Sequence, residues 1–256
     1  MSGKYEKNKT KGGRRRILWI ALLAAVLILA LAMVIANFPS AEDAKTPESQ
    51  NSQSVETGET EESDSREMAV VLDEGLEVTK IGSYTGVYME DGSDEVLSDI
   101  LMLQVVNNGE TPIQYGEIVM TVGEETAKFT LSTLNPGAEM VLLEQNRMAY
   151  SASVDYTAAE ISSKNVALFQ YPLEKHADKL EIQILDGAIN VTNISGRDIP
   201  GTVSIYYKNA ADGIYYGGIT YVIRLEDGIK ADEICQLMAK HFSDTGSEIM
   251  FITIAE

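Results

Sequence analysis

From about residue 68 to the C-terminus, apolar and polar residues alternate in short, β-branched runs. The first of these is SDILMLQVVNN (98–108), followed by EIVMTV (117–122), AKFTLSTL (127–134) and EMVLLE (139–144). Later come KLEIQIL (179–185), AINVTNI (188–194), GTVSIYYKN (201–209), GITYVIRL (218–225) and SEIMFITIA (247–255). Turn signals punctuate them: Asn108-Gly109, Asn135-Pro136-Gly137, Asp186-Gly187, Asp212-Gly213 and Asp227-Gly228. A period of two with such punctuation predicts many short strands, and so an all-β sandwich or barrel. By contrast, residues 146–165 carry weak periodicity and read as a loop with a short helical turn.

The segment 231–242 fits two patterns. Ile234, Leu237, Met238 and His241 or Phe242 fall at helical spacing. An internal repeat decides for strand. VVNNGETPIQYGEIVMTV (105–122) resembles NVTNISGRDIPGTVSIYY (190–207), each with a strand ending at an Asn, a polar turn, an Ile and another strand. Downstream, LNPGAEMVLLEQN (134–146) resembles DGIKADEICQLMAKH (227–241), so the two segments share one conformation. Two β units follow, 68–171 and 172–256, with the boundary near Tyr171-Pro172, where proline starts a new extended segment.

A different pattern precedes these runs. Residues 17–37 are uncharged and apolar on every helical face, with Trp19 near one end. Such a run is long enough for a helix to cross ~30 Å of hydrocarbon, and Trp19 suits the interface. A cleaved signal peptide would carry a shorter apolar core, of ~7–15 residues. Residues 1–16 hold seven bases and one acid. The chain has a net charge of −19, so the residues after the apolar run carry −25. That asymmetry predicts a single-pass anchor with a cytoplasmic N-terminus and an extracytoplasmic C-terminal region. Between them, residues 38–67 hold nine acids and two bases with few apolar side chains. Such a composition predicts a disordered, self-repelling tether.

At residues 190–213 the pattern resembles a known family. An N-x-x-G-x-x-I turn, an alternating strand ending in tyrosines and an Asp-Gly turn resemble FxLYD and related immunoglobulin-like modules of bacterial surface proteins. The second unit carries the resemblance through Val203-Ser204-Ile205-Tyr206-Tyr207-Lys208 and Asp212-Gly213; Lys208 stands where the motif has Asp. The first unit carries it through Asn107-Asn108-Gly109 and Leu134-Asn135-Pro136-Gly137. The layout is similar to single-pass envelope proteins of Gram-positive bacteria. The resemblance implies two tandem immunoglobulin-like β-sandwich units behind one transmembrane helix, and no shared catalytic residues.

Composition narrows the chemistry. The acidity argues against nucleic acid as a partner. One cysteine, Cys235, excludes an intramolecular disulfide and multi-cysteine metal sites. Hydrolase, zinc-protease, P-loop and dinucleotide signatures are missing, so no catalytic residue, no cofactor and no metal ligand is assigned. His176 and His241 read as surface histidines, and Cys235 as a buried thiol in a strand. Residues 90–95, Glu-Asp-Gly-Ser-Asp-Glu, read as a solvated hairpin tip with at most weak affinity for Ca²⁺. Asn190-Val-Thr and Asn193-Ile-Ser match the glycosylation sequon.

Tyrosine is the feature left over. Alternation assigns Val203, Ile205 and Tyr207 to the core, together with Ile219, Tyr221, Ile223 and Leu225. Tyr206 then points outward beside Ser204 and Lys208, with Tyr215 and Tyr216 at the hairpin end. Tyr206, Tyr215 and Tyr216 form the candidate interaction surface, with three readings: cross-strand pairing that stiffens the sheet, a protein interface, or sugar stacking. The expected function is a non-enzymatic accessory protein of the cell envelope that binds another envelope protein. Its alternatives are a neutral-glycan or wall-binding module and a membrane-anchored hydrolase.

Overall fold

Alternation governs nearly all of the chain for which the computed structural model describes coordinates, residues 65–185 and 187–255. The basic tail, the apolar run 17–37 and most of the tether lie outside the described residues. Among the described residues no helix is long and apolar enough to cross a membrane. The first half contains β1 (Ser65–Val71), β2 (Leu76–Val87), β3 (Val96–Asn107), β4 (Ile113–Val122), β5 (Glu125–Leu134), β6 (Glu139–Leu143) and β7 (Glu160–Leu168). The second half contains β8 (Leu180–Leu185), β9 (Ala188–Asn193), β10 (Val203–Ala211), β11 (Ile214–Leu225), β12 (Ile234–Met238) and β13 (Ser247–Ile254).

Every run read as alternating forms a strand, and the ambiguous segment 231–242 contains β12. Two corrections follow, and one strand appears outside the runs named above. Ser65, Arg66 and Glu67, read as the end of the tether, begin β1. Residues 160–165, read as loop, lie in β7, which pairs with β4. β2 extends a strand ladder alongside β3 from Leu76 to Val87.

The internal repeat is visible as geometry. Asn107 and Asn193 are both 0% exposed. The Asn107 amide donates to Thr111 O and Leu134 O, and its Oδ1 accepts from Gly109 N. The Asn193 amide donates to Arg197 O and Ile229 O, and its Oδ1 accepts from Ser195 N. The backbone repeats as well: Gly137 N donates to Asn107 O and Asn107 N to Ala138 O, while Asp232 N donates to Asn193 O and Asn193 N to Glu233 O. Each buried Asn thus satisfies carbonyls that would otherwise be stranded where two strands end. Gly137 at φ 73 and Asp232 at φ 60 occupy the same left-handed turn position.

The strands form a seven-stranded sheet, β1-β2-β3-β6-β11-β10-β13, and two three-stranded sheets, β5-β4-β7 and β12-β9-β8. Two cores lie between these layers. One gathers Leu76, Leu103, Ile118, Phe129 and Met140 with Tyr215 and Phe251 from the C-terminal half. The other gathers Ile189, Val191, Val203, Ile205, Tyr207 and Ile252. The large sheet is continuous because β6 and β11 pair in parallel, Ile214 to Glu139, Tyr215 to Met140 and Tyr216 to Val141. Edge strands from the two halves therefore cover each other, which removes two open edges.

Candidate functional site

The β6–β11 ladder is three residues long, and a buried polar node takes over where it ends. Glu90, in the β2–β3 hairpin, accepts from Leu143 N of β6 at 3.1 Å and from Gly218 N of β11 at 2.9 and 3.0 Å. Lys208 of β10 is 0% exposed and donates to Gly218 O at 3.2 Å and Ile219 O at 2.7 Å. The Gly218 residue is thus held from its N–H by a carboxylate and from its C=O by an ammonium. Ser132 of β5 adds a third contact, donating to Gly218 O at 2.8 Å.

The sequence of β11 permits this crowding through Gly217-Gly218. Gly217 adopts φ 82. A Cβ on Gly218 would lie 1.8 Å from Thr130 O, so the strand approaches β5 only without a side chain. Burial pushes the Glu90 carboxyl up, against hydrogen bonds from Gly218 and Leu143 and the nearby Lys208 charge that lower it. Burial pushes the Lys208 amine down to about 7, and Glu90 opposes that shift. The two charges compensate each other across the junction.

The rest of the acidic hairpin is the solvent-exposed tip expected, with Asp91, Asp94 and Glu95 exposed yet ion-paired; only Glu90 turns inward. Arg147 bonds Asp91 at 2.8 Å and Glu95 at 2.7 Å, with its guanidinium 4.9 Å from the centre of the Tyr88 ring. Asp94 pairs with Lys240 at 2.5 Å and with His241 Nδ1 at 3.0 Å. The Lys240 hydrogen bond holds the Asp94 carboxyl below its usual range. His241 stacks on Tyr221, centroids 4.9 Å apart, and His176 pairs with Glu174 at 3.5 Å. Neither histidine is free surface. Lys240 and His241 border a shallow cleft of about 490 Å³ that also touches Met89, Asn209 and Tyr216.

Buried Glu144 organises the loop after β6. Its carboxylate accepts from Lys128 N, Asn146 N and Met148 N at 3.0, 2.7 and 2.9 Å. Three backbone donors on one carboxylate explain why residues 146–150 hold a fixed path despite their weak periodicity.

The candidate tyrosines are largely internal. Tyr206 does not stand on an open face: its neighbours Ser204 and Lys208 are buried. It lies flat on its cross-strand partner Phe251, centroids 4.2 Å apart at 8°, and packs against the first core. The expectation failed because β10 is covered on both faces, so alternation separates two cores rather than core from solvent. Tyr215 is 6% exposed, and its hydroxyl donates to Glu248 at 2.9 Å. Tyr216 is half-buried beside Tyr88, Val141 and Leu143.

Cys235 is half-buried in β12, packed on the second core. Burial and Glu233 raise its thiol, which disfavours the thiolate. Beside it opens a cleft of about 640 Å³, also lined by Leu225, Ile229 and Glu233. The sequon at Asn193 is structural, its amide engaged by Arg197 O and Ile229 O. Among the described residues no group of three or more His, Cys, Asp or Glu is arranged to hold a metal ion.

No protein-family model matches the chain, and no curated protein matches it.

Proposed function

We propose that this chain is a membrane-anchored, extracytoplasmic interaction protein of the cell envelope, without enzymatic activity, that binds another envelope protein through β-strand surfaces. In this reading, residues 17–37 form the anchor, residues 1–16 stay in the cytoplasm, and two immunoglobulin-like β-sandwich units of the FxLYD kind stand outside. The charge asymmetry around the apolar run supports the topology. The all-β architecture and the paired Asn-anchored turns support the modules.

One observation carries the interaction role. On an acidic protein, the β12 edge exposes apolar side chains, Ile234 at 66% and Met238 at 70%. Exposed apolar strand edges are where β proteins recruit extended partners.

The test places photo-crosslinkable residues at Val71, Glu181 and Gln236 of the full chain in intact cells. A discrete adduct with one membrane or envelope protein is expected from at least one position. Absence of any adduct at normal protein abundance, with retention on purified wall material, would overturn the reading in favour of glycan binding.

A further inference from the structure

The repeat equates β6 with β12. Glu139 to Leu143 and Ile234 to Met238 follow the same Asn-anchored turn. They also meet their neighbours in the same register: Glu139 faces Val106, next to Asn107, and Ile234 faces Thr192, next to Asn193. What differs is the other edge. β6 carries β11 in parallel, with Tyr215 of β11 opposite Met140 and tucked into the first core. Among the described residues nothing pairs with the outer edge of β12.

Where the first copy packs Tyr215 beside Met140, the second copy has a cleft beside the equivalent position. The counterpart of Met140, which is buried, is Cys235, which borders the 640 Å³ cleft together with Leu225 and Ile229. The counterpart of Leu143, 1% exposed, is Met238, 70% exposed.

The open edge also lacks the usual protection. Among the described residues, the other edge strands carry charge: Arg66 and Glu67 in β1, Glu125 and Lys128 in β5, Glu160 and Lys164 in β7, Glu181 in β8 and Glu248 in β13. β12 reads Ile-Cys-Gln-Leu-Met, has no proline and pairs with β9 without a bulge. Charges, prolines and bulges are the devices that keep edges from pairing.

We propose that β12 is the docking edge for an extended strand of another protein. That strand runs parallel to β12 as β11 runs parallel to β6, and it sets an aromatic side chain into the cleft beside Cys235. The proposal rests on the interaction reading above and names the site and its occupant. In a second copy of this chain, the strand that matches this occupant is not free to supply it, and a linked peptide from the chain's own β12 would overturn the proposal. The copy's β11 is already paired with β6, and the outer side of β5, the counterpart of β11, is covered by Gly218 and Thr220. The cleft lining carries Asp198, Glu226, Asp227 and Glu233 against Arg224 and Lys230, an excess of acid. That lining selects a strand flanked by Lys or Arg.

The experiment uses the full chain in its own membrane. A photo-crosslinkable residue replaces Gln236, and a second, separately, replaces Glu181 on the β8 edge. The expected result is an adduct from position 236 whose linked peptide, mapped by mass spectrometry, is an apolar segment with an aromatic residue and a basic flank. Met238→Glu, at an exposed position that leaves the core intact, is expected to reduce the adduct about tenfold, the equivalent of ~1.4 kcal/mol. In parallel, a synthetic peptide copying Asp212–Gly217 with two lysines at each end is expected to slow alkylation of Cys235 about fivefold, by occupancy of the cleft. No adduct at 236, an adduct unaffected by Met238→Glu, or peptide-independent alkylation would each overturn the proposal. If position 181 captures a partner and 236 does not, the interaction reading stands and this docking edge falls. If neither captures one and Val71 is also silent, both fall.

Discussion

Asn107 and Asn193 anchor the same turn in two halves of one chain, yet the strands that follow them meet different fates. β6 is sealed between β3 and β11, and its side chains at Met140 and Leu143 are buried. Among the described residues β12 has β9 on one side only and leaves Ile234 and Met238 exposed. The hydrogen bonds of the two asparagines match position for position, apart from the extra hydroxyl bonds of Ser195, so they do not decide whether an edge is open. That is decided by what the rest of the chain delivers to it, and only the first copy receives a strand. The lesson is that a repeated unit reproduces its turns and its internal register, while its edges belong to the assembly.

The comparison breaks most severely at the junction that seals β6. Lys208→Met leaves the half-buried Glu90 without its compensating charge, and is expected to cost ~3 kcal/mol in urea unfolding. The double variant Glu90→Gln/Lys208→Met is expected to cost less than the sum of the single changes, since both groups act on Gly218. Strict additivity would show that the two charges do not sense each other. Gly218→Ala belongs in the same range, because its Cβ would meet Thr130 O at 1.8 Å.

Next come the two asparagines. Asn107→Ala and Asn193→Ala each strand one buried carbonyl, Leu134 O or Ile229 O, and a second that water can reach, and each is expected to cost about 2 kcal/mol. Equal losses sharpen the equivalence of the two turns; a gap well above ~1 kcal/mol, beyond the usual spread for one bond, would break it.

The junction also carries a pH signature. The Glu90 carboxyl is raised above its ordinary 4.5, so above that pH the folded state binds more protons than the unfolded and stability falls. The Lys208 amine is lowered from 10.5 to about 7, so between those values the unfolded state binds more protons and stability rises with pH. Measured against the Glu90→Gln/Lys208→Met variant, wild-type stability is expected to fall above pH 4.5 and to recover from about pH 7 towards 10.5. A flat difference across that range would remove the coupled pair as its source.

The smallest test exchanges the left-handed turn residues. Asp232→Gly relieves a positive φ that Gly137 meets without a Cβ, and is expected to stabilise by about 0.5 kcal/mol in thermal unfolding. Gly137→Ala is expected to destabilise by about 1 kcal/mol.

Strands whose alternation separates core from solvent, or one core from another, were legible: β3, β5, β9 and β10 stand where the pattern placed them. The repeat resolved β12 against helical spacing because both copies need a strand beside the same buried Asn. β7 was not legible. Its EISSKNVAL alternates exposed and half-buried positions with polar residues on both sides, so its pattern is weak without β4 beside it. The tyrosine surface was misread for a related reason. Alternation states that Tyr206 and Tyr207 face opposite ways, but not that each way leads into packed side chains.

The sequence by itself determined the local grammar: period-two strands, the Asp-Gly and Asn-anchored turns, the two copies and the charge divide around residues 17–37. These follow from interactions between residues close in the chain, or from composition alone. Only the tertiary structure decided that β6 and β11 join in parallel, that Glu90 and Lys208 meet across that join, and that β12 is left open. Those outcomes depend on which distant surfaces pack together, and an inward-turned carboxylate such as Glu90 reads no differently in sequence from its solvated neighbours. Burial and partner, rather than residue type, make Glu90 part of the junction and leave β12 at the edge of its sheet among the described residues.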